Sequence, residues 1–301
     1  MENLTIKGLI ANDDFITETI LTALARSENQ TEFNVTPQSE LSNYYILAQS
    51  EKRCGELRKK YNVNAVTDIN EFIDKAAMLI VTSKYDDAKD TLSKIADKVS
   101  DDTLIVSIIE GIGLVFIQDF FPKNSVVRLT INPSIISGEG LSAFVAGNNV
   151  SDASKKIIRD MLLSFGKIIE VNNEEEFEKV RKFILANTFL AYIIIKSMRD
   201  AAFKNGYSTE QTSLLIDQIL KGASKTLIEF QHMGNEMIKD GFKHTNITNY
   251  AVDLIREYGI YDSIERYLTT KELQNIFDFY TEEEEKHYKV NFDWFEDVVS
   301  K

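Results

Sequence analysis

Short apolar runs that alternate with helical stretches leave this chain few ways to fold. Leu4–Ala11, Met78–Thr82, Leu104–Ile108 and Val126–Leu129 are apolar at most positions. Strands of that texture need cover on both faces, since a half-exposed strand alternates apolar with polar residues. Tyr44–Ala48 and Ala65–Thr67 read as further strands. Between the strands, Phe15–Arg26 places Ile16, Ile20, Leu21 and Leu24 on one helical face, and Lys52–Tyr61, Ile69–Asp74 and Asp86–Val99 continue the helical pattern. The alternation predicts an α/β fold: a doubly wound parallel sheet with helices on both faces, taking ligands beyond the carboxyl ends of its strands.

The texture changes at Ile131–Gly147, a stretch that carries Gly138, Gly140 and Gly147 and suits a tight backbone crossing. It reads as a hinge between two domains, 1–150 and 151–301, and as one wall of a cleft. No proline follows it, and helical patterns take over. Ser151 caps a helix that runs through Phe165 and is ended by Gly166, and Lys167–Val171 reads as a lone strand. Ser208 with Gln211 forms a capping box. Thr245 or Asn246 caps a helix that ends before Gly259, and Tyr261–Phe279 supplies another. The longest apolar stretch, Phe183–Ile195, is interrupted by Asn187 and Thr188. It falls short of the roughly 20 residues that cross a bilayer and reads as a buried helix.

Charge and composition exclude some functions. A net charge of −13 on 301 residues, with no basic face evident, opposes a nucleic-acid partner. A single cysteine, Cys54, forbids an internal disulfide and fits a reducing compartment, and the N-terminus lacks the basic-then-apolar pattern of a secretory leader, so the expected location is cytoplasmic. His232, His244 and His287 share no metal-ligand spacing, so no metal is expected.

Two turns carry the site. The first strand-to-helix turn, Ala11-Asn12-Asp13-Asp14-Phe15-Ile16, lacks the glycines that bend a phosphate-binding turn and let its backbone approach a pyrophosphate. Its aspartates meet the helix dipole themselves, so Asn12 or Asp13 reads as an ordinary helix cap. At the end of the second strand stand Ala48-Gln49-Ser50, followed by Lys52, Arg53, Arg58, Lys59 and Lys60. That chemistry suits the 2′-phosphate of NADP better than the ribose diol of NAD, or else makes a solvated basic helix face.

The segment Val127–Val171 resembles pyrroline-5-carboxylate reductase. VRLTINPSIISGEGLSAFVAGNNVS and the later FGKIIEV are similar to that family's VRxMPNTPxxxGEGxxxxxxGxxVS and VGKxxEV runs. Ser83-Lys84 stands where the family has Val-Lys-Pro, and Leu104–Ser107 with Gly111 is similar to its VSIxAG strand. Downstream, Asp200-Ala-Ala202, Gly206 and Gly222-Ala223 fall at family spacing, so the resemblance covers about residues 4 to 275. It implies a Rossmann-like NAD(P)-binding domain and a helical dimerisation domain. The implied reaction is hydride transfer from the nicotinamide to a cyclic imine, as in proline biosynthesis. The cofactor contacts it implies are Ala11, Asn12, Asp13, Phe15, Ser50, Arg53, Ser83, Lys84 and Asn132. The substrate contacts are Asn187, Thr188, His244, Thr245, Asn246 and Thr248, with Thr248 as the catalytic hydrogen-bond partner of the imine nitrogen.

The departures from the pattern are as specific as the matches. The glycine fingerprint is replaced by Ala11, Asp13 and Ile16, and the family's MPNTP reads Thr130-Ile131-Asn132-Pro133-Ser134. Its Ser-Gly-Ser-Gly-Pro substrate loop falls on the helix-forming Ile184-Leu185-Ala186-Asn187-Thr188, so Glu174–Lys204 is expected as one helix. Its Pro-Gly-Gly-Thr-Thr reads His244-Thr245-Asn246-Ile247-Thr248. Three functions fit: a reductase of the family's type, a member with a decayed cofactor site acting as a non-catalytic homodimeric binding protein, and a reductase for a different imine or carbonyl.

Overall fold

The computed structural model describes residues 7–29, 41–73, 76–230 and 246–270. The chain forms two compact units, residues 1–184 and 185–301. The first holds the sheet: β1 (Lys7–Asn12), β2 (Tyr44–Leu47), β3 (Asn64–Val66), β4 (Met78–Ser83), β5 (Leu104–Ser107), β6 (Val126–Ile131), β7 (Gly140–Ala146) and β8 (Gly166–Val171). Their spatial order is β3-β2-β1-β4-β5-β6-β7-β8. The first six strands are parallel, β7 is antiparallel to β6, and β8 is parallel to β7. The helices of this unit are α1 (Asp14–Asn29), α2 (Glu51–Tyr61), α3 (Ile69–Ile73), α4 (Ala88–Ala96), α5 (Leu114–Phe120), α6 (Asp152–Leu163) and the start of α7 (Glu174–Lys204). The α/β class, the Rossmann-like sheet and the helical C-terminal part all stand as the sequence predicts.

Most positions of the central strands are apolar because both faces are packed. Successive residues of one strand enter different cores: Leu9, Ile80 and Leu104 join one cluster with Leu21, Tyr61 and Phe144, while Ile10, Val81 and Ile105 join another with Phe72, Leu92 and Phe121. The period of two along each strand divides the burial between the faces.

Three expectations are corrected. The stretch Ile131–Gly147 is not a hinge between domains. It is the end of β6, a 3-10 turn over Pro133–Ser137, and β7, all inside the first unit. A connection that short cannot make the crossover a parallel pair needs, so the chain doubles back antiparallel. Lys167–Val171 is not a lone strand. It pairs with β7 over Gly140↔Gly166 to Val145↔Val171 and closes the sheet's edge, while the preceding helix stops at Leu163. The run Phe183–Ile195 lies in α7 without being wholly buried: Phe183 and Phe189 are 61% and 54% exposed.

In the second unit α7 continues, followed by α8 (Thr209–Glu229), α9 (Asn246–Glu257) and α10 (Ile260–Thr269). Ser208 and Gln211 form the expected capping box on α8. The helix predicted over Glu174–Lys204 is continuous. Beyond Thr270 the predicted helix Tyr261–Phe279 lies outside the described residues.

Candidate functional site

The strand order reverses at β1, which lies between β2 and β4. In an open parallel sheet the crevice at such a point receives the ligand. A cavity of about 500 Å³ opens there, lined by Asn12 of β1, Leu47 and Gln49 at the end of β2, Ile69 of α3, and Thr91 and Ile95 of α4, with Lys94 and Lys98 among its other lining residues. Beside it, side chains tie β1, β4 and α4 together. Asn12 Nδ2 donates to Thr91 Oγ1 at 2.9 Å, Ser83 Oγ lies 3.2 Å from the same oxygen, and Thr82 Oγ1 donates to the Ile10 carbonyl at 2.7 Å. Gln49 Nε2 reaches Asn12 Oδ1 at 3.5 Å.

The resemblance named Asn12 and Ser83, and they meet here through Thr91, which it did not name. Thr91 carried a signal. The buried face of α4 is Ala88, Thr91, Leu92 and Ile95, so a hydroxyl stands in an otherwise apolar i, i+3, i+4, i+7 stripe. Gln49, Lys94 and Lys98 join the cavity only because the tertiary fold brings α4 beside the end of β2.

The first turn behaves as a capped helix. Asp13 Oδ1 accepts from the Ile16 N–H at 3.0 Å and so occupies a backbone donor that an anion would seek. Ala11 is buried in the sheet, while Asp14 and Phe15 project outward, 79% exposed for the Asp14 side chain. No glycine opens the backbone, and two carboxylates stand where negative charge would have to be received. The turn therefore does not fit a pyrophosphate.

At the end of β2 the cation is present but engaged. Arg53 lies 3.2 Å from Asp14, 2.8 Å from Glu18 and 3.3 Å from Glu56. Ser50 caps α2, its Oγ accepting from the Arg53 N–H at 3.3 Å. Glu18 also accepts from Lys60 at 2.6 Å and from the Tyr61 hydroxyl. Burial pushes the Glu18 carboxyl up, but hydrogen bonds from Lys60, Tyr61 and Arg53 outweigh it and hold it below the ordinary carboxylate range. A basic group and a hydroxyl at this turn fit an anionic ligand such as a 2′-phosphate.

The remaining residues divide. Lys84 is exposed, and its carbonyl accepts from Ser83 Oγ at 3.0 Å. Asn132, at the carboxyl end of β6, accepts from the Leu141 N–H at 3.0 Å and so pins the turn into β7. Asn187 and Thr188 are half-buried in the second unit's part of α7, where the continuous helix offers no substrate loop. Asn246 and Thr248 lie in the first turn of α9, and His244 and Thr245, like His232 and His287, fall outside the described residues.

A charge network that sequence reasoning missed joins the end of β5 to α7. Arg128, on β6 and 2% exposed, pairs with Glu174 and Glu178 and lies 4.8 Å from the Phe177 ring. Arg181 bridges Glu178 and Glu110, each at 2.6 Å, and Glu174 Oε1 accepts from the Leu114 N–H at 3.2 Å. Among the described residues no His, Cys, Asp and Glu cluster could hold a metal ion, and no helix is long and apolar enough to cross a membrane.

Comparison with known proteins agrees with the fold. Residues 16–111 match a family described as NADP oxidoreductase, coenzyme F420-dependent. The match begins at Ile16, the last residue of the altered turn. Pyrroline-5-carboxylate reductase of Aquifex aeolicus is 23% identical over 210 residues, 69% of this chain and 77% of the relative. That of Corynebacterium melassecola is 23% identical over 231 residues, 75% and 84%. Among solved structures, a Plasmodium falciparum pyrroline carboxylate reductase with NADP bound superposes with a TM-score of 0.74 at 20% identity, covering 89% of this chain and 95% of that one. The Coxiella burnetii reductase gives 0.74 at 16%, covering 92% and 98%.

Proposed function

We propose that this chain, a divergent relative of the pyrroline-5-carboxylate reductases, is an oxidoreductase of their type that reduces a cyclic imine with NAD(P)H, NADP being the better fit. The observation that carries the reading is the crevice at β1, where a cavity of about 500 Å³ at the carboxyl ends of the strands is lined by Asn12, Gln49, Thr67 and Thr91. The nicotinamide would supply the hydride. Because the first turn does not fit a pyrophosphate, we derive no transfer step; the chain's own part is to hold the adenosine end, with Asn12, Gln49 and Thr91 offering the polar contacts. The altered substrate loop on α7 favours an imine or carbonyl substrate other than pyrroline-5-carboxylate itself over the authentic one. In this reading Thr248 supports the imine nitrogen, and a homodimer in the cytoplasm is the working form.

One observation favours a second reading. Asp13 has taken the helix N-terminus for itself, as in a member that has lost the cofactor and persists as a homodimeric binding protein. Titration with NADPH, followed by fluorescence and melting temperature, separates the two. A ligand that binds only the native state raises its stability, so a reductase should show a saturable upward shift. No shift at millimolar NADPH would sink the reductase reading. If NADPH binds, turnover of pyrroline-5-carboxylate against other cyclic imines, with Thr248→Ala as the control that should slow it without lowering the melting temperature, assigns the substrate.

A further inference from the structure

The enclosed part of the crevice carries no charge. Ile10, Thr91 and Ile95 are buried and Asn12 is half-buried, whereas the charged members of the lining, Lys94, Asp97 and Lys98, are all exposed. Lys94 is already paired with Asp90 at 2.5 Å, and Lys98 donates to Asn70 Oδ1 at 2.7 Å. What remains for a ligand is an apolar wall edged by two carboxamides, Asn12 and Gln49, and two hydroxyls, Thr67 and Thr91. Carboxamides donate and accept, so this lining suits an uncharged heterocycle that carries both kinds of group on its edge and a hydroxylated part beside it.

A phosphate on such a ligand would have to lie over the first turn. Asn12 ends β1 and lines the cavity, and Asp13 follows it immediately before α1, at the helix N-terminus where an anion is ordinarily received. Asp13 puts its own carboxylate there, with Oδ1 accepting the Ile16 N–H at 3.0 Å. Asp14 is met by the Arg53 guanidinium at 3.2 Å, but the Asp13 carboxylate is spent on a backbone donor, and its charge repels a phosphate at short range. A ligand that ends inside the cavity does not meet it. We infer that the crevice is a site for an uncharged ligand of the nucleoside class, and that Asp13 is the residue that excludes its phosphorylated forms. The inference rests on the second reading above, a binding protein without the cofactor, and goes beyond it in naming the ligand class and the excluding residue.

The test is calorimetric titration of the full chain with adenosine, AMP and NADPH as probes, for wild type, Asp13→Ser, Asp13→Asn and Gln49→Ala. Wild type should bind adenosine about tenfold tighter than AMP or more, and NADPH no better than AMP. Serine and asparagine both cap helices, so either Asp13 variant keeps the fold while removing the charge. Each should bring AMP to within about threefold of adenosine and leave adenosine itself unchanged. Gln49→Ala, at an exposed position, should weaken adenosine about fivefold without moving the melting temperature. AMP and NADPH binding wild type as tightly as adenosine would overturn the inference and leave the reductase reading standing. A gap that persists in both Asp13 variants would overturn it by taking the exclusion away from Asp13, and adenosine binding indifferent to Gln49→Ala would overturn it by placing the ligand outside the crevice. Failure of all three probes to bind would overturn it and leave the binding-protein reading to a ligand of another class.

Discussion

A methyl group added at Gly166 would overlap the carbonyl oxygen of Gly140, its register partner across the β7–β8 pairing, and Gly166 also has a φ of 141°. Both the close approach and the backbone angle exclude a side chain there. Gly166→Ala is therefore expected to cost about 3 kcal/mol, at the upper end of ordinary overpacking, and chemical denaturation would measure it. A loss below about 1 kcal/mol would mean that the two strands slide apart without penalty. Gly138 stands in the left-handed region at φ 73°, and a side chain there would collide with the Arg26 guanidinium. The GEG pattern that carries the resemblance is thus explained by close packing, of Gly138 against the Arg26 guanidinium and of Gly140 against Ile135 in the preceding turn. Asp13, by contrast, departs from the family pattern and has a local account as a helix cap.

At the scale of elements, the start of α7 is bound to the sheet by charge as well as by apolar contact. Arg128 is buried between Glu174 and Glu178, and Arg181 continues the chain of charge to Glu110. Burial pushes the Glu178 carboxyl up, but the hydrogen bond from Arg181 and the charges of Arg128 and Arg181 prevail and leave it below the ordinary value of 4.5. A carboxyl whose folded value lies below its unfolded value stabilises the fold above the unfolded value, and that contribution disappears as pH falls through the folded one. Stability should therefore decline as pH drops below about 4.5, and Glu178→Gln should flatten that decline; an unchanged acid limb would remove Glu178 from it. Arg128→Met removes the buried cation that Glu174 and Glu178 share, leaving Glu174 the Leu114 N–H and Glu178 the Arg181 guanidinium, and should cost about 3 kcal/mol at neutral pH. A neutral effect there would show that water enters and solvates them.

For the whole molecule, the helices of the second unit present large apolar side chains to solvent in the single chain. Leu215 and Ile219 of α8 are one turn apart, and Phe189 and Tyr192 of α7 are likewise exposed. Faces of that size are commonly covered by another chain. Sedimentation should give a dimer, and Ile219→Glu should weaken its association about tenfold or more. A monomer at micromolar concentration would remove the homodimer from the proposed function.

How much was legible in the sequence follows from the range of the forces involved. Helix caps depend on residues three apart: Ser151 and Ser208 sit where the sequence predicted them, and of the two candidates for the first helix, Asn12 and Asp13, it is Asp13 that accepts the backbone N–H. The strands from β1 to β6 are legible for the same reason, because burial on two faces is written as a run that is apolar at most positions. The strand β7 was missed: its polar Ser142 and glycine-flanked start resemble a hinge, and only the antiparallel return against β6 makes it a strand.

The candidate site was legible where it is local and hidden where it is not. Asn12 stands at a turn that any parallel sheet of this order places at its carboxyl edge, and it lines the crevice there; Ser50 and Arg53 stand at the next such turn, outside the cavity's lining. That Arg53 is engaged by Asp14 and Glu18, that Thr91 ties Asn12 to Ser83, and that Arg128 sits among carboxylates from α7 were decided by the tertiary structure. Ion pairs and hydrogen bonds between residues 35 to 79 positions apart leave no periodic trace in a sequence. The sequence by itself determined the α/β class, the strands and the caps, since those obey spacings of two to four residues; the tertiary structure decided which charges are free to meet a ligand.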